Sequence, residues 1–298
     1  MSHSVSKFGV NADRYVTMID SLCLDRHNVR YTFMPQKDFK QLIRKEPEKG
    51  MQVYWREILS RAHLAATTSI LRGRRWIQAI SSAVTENNAL AFSAAYRGLI
   101  ESAADTHTAL EKIPTTFARD FLHINQALDG RLVKKIFVVK EIEDDLIHYS
   151  HARKLKRGEL APASHKAKSI RDYMTILEKG KMPHVVSCYS ALCDLTHPGA
   201  SSVWAWLRPV NEWEFDLVSN QDSQIISRFL SDYRTTYLET LMFVFNGPLL
   251  SLSARNYFPI QDFHTPELLQ WEFSNIPIWR KIKHDLGTAL PQVKTELL

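Results

Sequence analysis

Cysteine is scarce in this chain: three in 298 residues, Cys23, Cys188 and Cys193, with no C-x-x-C pair among them. That excludes a disulfide scaffold and the paired-thiolate pattern of a zinc site, and free thiols fit a reducing cytoplasm. Long apolar runs are missing too. The most apolar stretch, Tyr237 to Leu252, is interrupted by Glu239, Asn246, Gly247 and Pro248, and reads as a kinked core helix rather than a membrane span. The opening residues, Met1-Ser2-His3-Ser4-Val5, lack the apolar core of a signal peptide, so a cytoplasmic chain without membrane contact is expected. There is no P-loop, no G-x-G-x-x-G, no H-E-x-x-H and no G-x-S-x-G. Internal repeats and low-complexity tracts are absent as well. No cofactor and no metal is expected.

What is present is a chain that is 45% apolar, long enough to bury one large core or two small ones. The formal net charge of +6 permits contact with nucleic acid without requiring it. Basic residues cluster at Arg72-Gly73-Arg74-Arg75 and at Arg153-Lys154-Leu155-Lys156-Arg157, which read as a solvated helix end and a solvated loop.

Residues 1–50 show no clear period and read as an N-terminal arm with one or two short helices. From Met51 the pattern turns helical: Trp55, Ile58, Leu59, Ala62, Ala66, Ile70 and Ile77 recur at steps of three, four and seven. A second helix, from about Glu86 to Lys112, is rich in alanine, serine and glycine, which suits close helix approach at the centre of a bundle. Further helices are expected near 115–129, 133–153, 164–178, 184–197 and 222–255. Residues 203–207 and 212–218 alternate aromatic and polar side chains and predict a β-hairpin near 203–218 that packs on the helices. The tail, 258–298, carries short helices between prolines. The expected fold is all-α: a helical bundle over 51–257 with one small β-hairpin insertion, flanked by the arm and the tail.

Two segments place ionisable groups where the pattern otherwise reads as buried helix: Tyr96 to Asp105 and Tyr189 to Pro198. Arg97, Glu101 and Asp105 fall at i, i+4 and i+8 on one face. Ser190, Asp194 and His197 share a face of the helix expected near 184–197, which Pro198-Gly199 ends straight after the histidine. His197 would sit at a helix C-terminus, where the dipole favours an imidazolium. One reading makes His197 a general acid or base and Arg97 a clamp for an anion, with Glu101 or Asp105 orienting them. The other makes Arg97–Glu101 a pair within one helix and His197 a cap.

Tyr96-Arg97-Gly98-Leu99-Ile100-Glu101 and the Tyr189 to His197-Pro198 helix end together resemble a group of bacterial helical proteins related to the HEPN superfamily (higher eukaryote and prokaryote nucleotide-binding domains). The resemblance covers residues 51 to 257 in outline. It implies a HEPN-like helical bundle, often a homodimer. Many such relatives are metal-independent ribonucleases of toxin–antitoxin, abortive-infection and phage-defence systems, and others are noncatalytic. In the nucleases an Arg and a His a few residues apart meet their dimer mates across an RNA phosphodiester; the His moves protons and the Arg stabilises charge at phosphorus. In this chain only Arg56 and His63 have such a local spacing, with Glu57 following the arginine.

The first functional expectation is therefore an endoribonuclease effector acting on RNA, with Arg97 and His197 central and Glu101, Asp105 and Asp194 supporting; Arg56 and His63 form the weaker pair. The second is a noncatalytic module that binds a nucleotide or a protein such as an antitoxin. Two further sets read as structural. Glu141, Asp144, Asp145, His148 and His151 lack the second Glu-x-x-His of a di-metal site and read as a solvated helix face. Trp204, Trp206, Trp213 and Phe215 could stack bases but read as glue between the hairpin and the core.

Overall fold

A computed structural model describes residues 10–23, 29–131, 136–260 and 263–296. The described chain is mostly helical, with one two-stranded antiparallel sheet. In order, it runs α1 (Val10–Cys23), α2 (Gln36–Lys45), α3 (Pro47–Thr85), α4 (Ala89–Leu110), α5 (Ile113–Arg119), α6 (Phe121–Leu128), α7 (Lys140–His151), α8 (Ile170–Lys179), α9 (Val185–Thr196) and α10 (Ala200–Trp204). Then follow β1 (Leu207–Pro209), β2 (Phe215–Leu217), α11 (Asp222–Asp232), α12 (Arg234–Arg255) and α13 (Pro277–Glu296). No described helix is long and apolar enough to cross a membrane.

The residues group into two compact units. The first gathers Met1–Asp25, Ser69–Asp105 and Lys168–Phe245; the second gathers Arg26–Thr68, Thr106–Ala167 and Asn246–Leu298. Helices α3, α4 and α12 each supply one stretch to each unit.

In the first unit, α4 lies at the core because its small residues admit neighbours. A Cβ on Gly98 would stand 2.5 Å from a ring carbon of Trp76 in α3, a distance no real contact tolerates, so glycine sets the α3–α4 approach. The Trp76 indole N–H then donates to Ser102 Oγ at 3.1 Å. On another side of α4, Phe92 and Tyr96 meet Phe229 of α11 and Tyr237 of α12 edge-on, with ring centroids 5.4–5.9 Å apart. Val185, Cys188, Tyr189 and Leu192 bury one face of α9. Helix α8 opens on a full capping box, in which Ser169 and Asp172 satisfy each other's backbone N–H groups.

The second unit is organised around the N-terminal part of α3, where Trp55, Ile58, Leu59, Ala62 and Ala66 are all buried as their period predicts. Trp55 stacks on Phe137 at 5.3 Å, and the Tyr54 hydroxyl accepts from Val139 N–H at 3.1 Å, which pins the segment before α7. Phe117 and Phe121 pack on Phe258, and α13 lies against α5 and α6.

Several boundaries differ from the sequence expectation. The helix expected near 115–129 is two short ones, broken at Asp120. The helix expected from Val133 begins at Lys140, with residues 132–135 outside the described ones and 136–139 in no regular element. The run 222–255 breaks at Tyr233, where φ −114° and ψ 26° leave the helical region. Val203 and Trp204, expected in a strand, close the short helix α10, and β1 starts only at Leu207. The hairpin packs on the helices only in part: Trp204 of α10 meets Phe215 edge-on, but Trp213 is 83% and Leu217 76% exposed.

Candidate functional site

The α4 row lies wholly within the first unit. Helical spacing puts Arg97, Glu101 and Asp105 on one face, and α9, α8 and α3 each bring a partner to it.

Arg97 Nη1 donates to Thr196 Oγ1 at 2.8 Å and Nη2 to the Tyr189 hydroxyl at 3.4 Å, both on α9. The guanidinium carbon stands 5.4 Å from the Tyr189 ring centroid. The Tyr189 hydroxyl in turn donates to Glu101 Oε1 at 2.5 Å. One phenol thus links the cation and the carboxylate that the i, i+4 spacing would otherwise pair directly. Two turns along from Arg97, Asp105 accepts from Arg72 Nη2 of α3 at 2.8 Å and from the Tyr173 hydroxyl of α8 at 3.5 Å. The ion pair is partly shielded, Arg72 being 38% and Asp105 15% exposed at the side chain.

The electrostatics follow from this arrangement. Burial first, and then the bond to Glu101, push the Tyr189 phenol up to about 12. Burial and the Asp105 charge do the same for Tyr173. For Arg97, burial pulls the pKa down, but the Tyr189 bond and the neighbouring Tyr189, Cys193 and Glu101 carry it above its ordinary value. Both phenols are therefore neutral near neutral pH and act as hydrogen-bond donors.

His197 and Asp194 stand apart from this network. Both are exposed, and His197 is the C-cap of α9, its N–H donating to Cys193 O. The structure joins Arg97 to Thr196, the residue just before His197. Ser190 is exposed.

Arg56 and His63 are not brought together. Arg56 is exposed, whereas His63 is fully buried, with Nδ1 2.7 Å from the Tyr31 hydroxyl and its ring against Phe263. The acidic set on α7 also scatters: Lys112 binds Glu141, Lys140 pairs with Asp144 at 2.7 Å, His148 Nδ1 meets Ser164 O at 3.0 Å, and His151 stacks on His165.

Three members of the network were not singled out from sequence: Thr196, Tyr173 and Arg72. Arg72 stood in a basic cluster that reads as solvated. Instead Arg72 pairs with Asp105, and Arg74 with Asp20 at 2.8 Å. The available signal was helical phase: Arg72 lies one turn before Trp76, which faces α4. No family model, no curated protein and no solved structure matches this chain.

Proposed function

We propose that the chain is a noncatalytic helical interaction module and that the α4 row fastens its helices rather than carrying out a reaction. One observation carries this reading: Arg97, Glu101 and Asp105 are each engaged by partners from α3, α8 or α9. A general acid, base or anion clamp must offer its polar atoms to a substrate. Here those atoms join helices from distant parts of the sequence, and breaking the bonds would leave half-buried charges without partners.

A second reading, a HEPN-like metal-independent ribonuclease of the phage-defence or toxin–antitoxin kind, is favoured by His197. Its imidazole is exposed one residue beyond Thr196, the hydroxyl that holds Arg97. In a homodimer, two such histidines could serve one phosphodiester.

Purified protein incubated with mixed-sequence RNA in EDTA separates the two. The module reading expects intact RNA, and expects Arg97→Ala to lower the melting temperature. Cleavage that disappears in His197→Ala, with the fold retained by circular dichroism, would establish the nuclease and sink the module reading.

A further inference from the structure

We propose that the outer edge of β2 is a strand-addition site for an extended basic segment of a partner protein. The inference concerns a different surface from the α4 row and stands whether or not that row is catalytic.

The hairpin register decides which edge is open. Leu207, Arg208 and Pro209 face Leu217, Asp216 and Phe215. Val218 N–H donates to Trp206 O at 2.9 Å and Val210 N–H to Glu214 O at 2.8 Å. Alternation along an antiparallel ladder then makes Arg208–Asp216 the hydrogen-bonded pair between them. The N–H and C=O groups of Phe215 and Leu217 therefore point away from β1. On the opposite edge the matching position is Pro209, which has no N–H to offer. So β2 presents a full row of donors and acceptors, and β1 does not. The sheet has no third strand among the described residues.

The side chains on this strand sort by face. Phe215 and Leu217 share the apolar face with Leu207 and Pro209, and Trp204 of α10 stands edge-on to Phe215 at 4.5 Å. Glu214 and Asp216 share the other face with Arg208, which pairs with Asp216 at 2.8 Å. Phe215 is 41% exposed, so the apolar face is open as well as the edge. A two-stranded hairpin so little covered is marginal, and a third strand is the smallest addition that remedies it.

Charge selects the occupant. Between Trp206 and Val218 the chain carries Glu212, Glu214 and Asp216 against the single cation Arg208, although the whole protein is net +6. Those carboxylates repel phosphates, which speaks against Trp213 as a base-stacking platform. Pairing β2 with β2 of a second copy would set these same carboxylates against one another. An incoming strand with lysine or arginine opposite Glu214 and Asp216, and β-branched or aromatic residues opposite Phe215 and Leu217, meets both faces.

The test uses the full chain and a fluorescein-labelled peptide of alternating Lys and Val, followed by anisotropy. Controls are an alternating Lys–Gly peptide, which keeps the charge alone, and a Glu–Val peptide, which keeps the apolar face alone. The Lys–Val peptide should bind at least about tenfold tighter than either control. Leu217→Pro removes an outward N–H without touching the bonds to β1, and Glu214→Lys/Asp216→Lys reverses the charge; each should weaken binding by about tenfold or more. Absence of binding, equal binding of Lys–Gly, or binding indifferent to both variants overturns the proposal. A dimer by light scattering that both variants disperse would make the occupant a second copy and overturn it too. So would tight oligonucleotide binding lost in Trp213→Ala.

Discussion

The hydroxyl of Tyr189 holds the centre of the α4 row, donating to Glu101 while accepting from Arg97. Replacing it in Tyr189→Phe leaves the ring but strips both bonds. A urea titration should show a loss of about 1–3 kcal/mol, the range for leaving buried polar groups unsatisfied. Alkaline pH should act at the same place. Tyr189 and Tyr173 are raised from 10.0 to about 12, by burial first and then by Glu101 and Asp105 respectively. A group with a raised folded pKa stabilises the fold fully below its unfolded value and loses that contribution as pH passes through the folded one. The urea midpoint should therefore fall between pH 10 and 12, with the buried Cys188 thiol, raised from 9.0 to about 12, adding to the fall from pH 9, and Tyr189→Phe should make the fall shallower. A midpoint that does not move across the window would show that these phenols are not buried beside carboxylates.

Helix approach and helix ends decide the elements. Gly98 admits the Trp76 ring, so Gly98→Ala drives a methyl into aromatic carbon at 2.5 Å. Overpacking of this kind costs about 1–3 kcal/mol even though alanine is the better helix former. A thermal melt that rises in Gly98→Ala would contradict the close α3–α4 approach. At α8, Ser169→Ala removes the capping box and should cost about 1 kcal/mol. The hairpin shows where reading elements from sequence failed. Val203-Trp204-Ala205-Trp206 alternates like a strand, but over so few residues alternation also fits a turn of helix. Ser202 closes α10 back onto Gly199, and Trp206 Nε1 donates to Asp222 at 2.9 Å, so local capping and one tertiary bond move the strand start to Leu207. The break at Tyr233 carried no glycine or proline to announce it.

For the whole molecule, burial predicts a graded stability. The most protected amides in hydrogen exchange should lie in α3 around Trp55–Ala66, in α4 around Phe92–Ala104 and in α12 around Tyr237–Ala254, where most apolar side chains are buried. The outward amides of Phe215 and Leu217 should exchange among the fastest within any strand or helix. Slow exchange there in the isolated protein would mean the β2 edge is already covered. The core periods of α3 and α4 were legible because a helix face repeats every few residues, whatever lies opposite. The site was legible only in part. Arg97, Glu101 and Asp105 could be placed on one face, but not their partners, since Thr196, Tyr189 and Tyr173 lie far along the chain.

The amino-acid order by itself determined the helical class, the buried stripe of α3, the small-residue face of α4 and the i, i+4, i+8 row upon it. These are local periodicities set by backbone geometry. Tertiary structure alone decided that Arg97 reaches Thr196 and Tyr189 rather than serving Glu101 directly, that Arg72 turns inward to Asp105, that His63 is buried while His197 is exposed, and that the hairpin stands open. Each of those outcomes depends on which distant element supplies a polar partner or excludes water, and local spacing does not encode that choice.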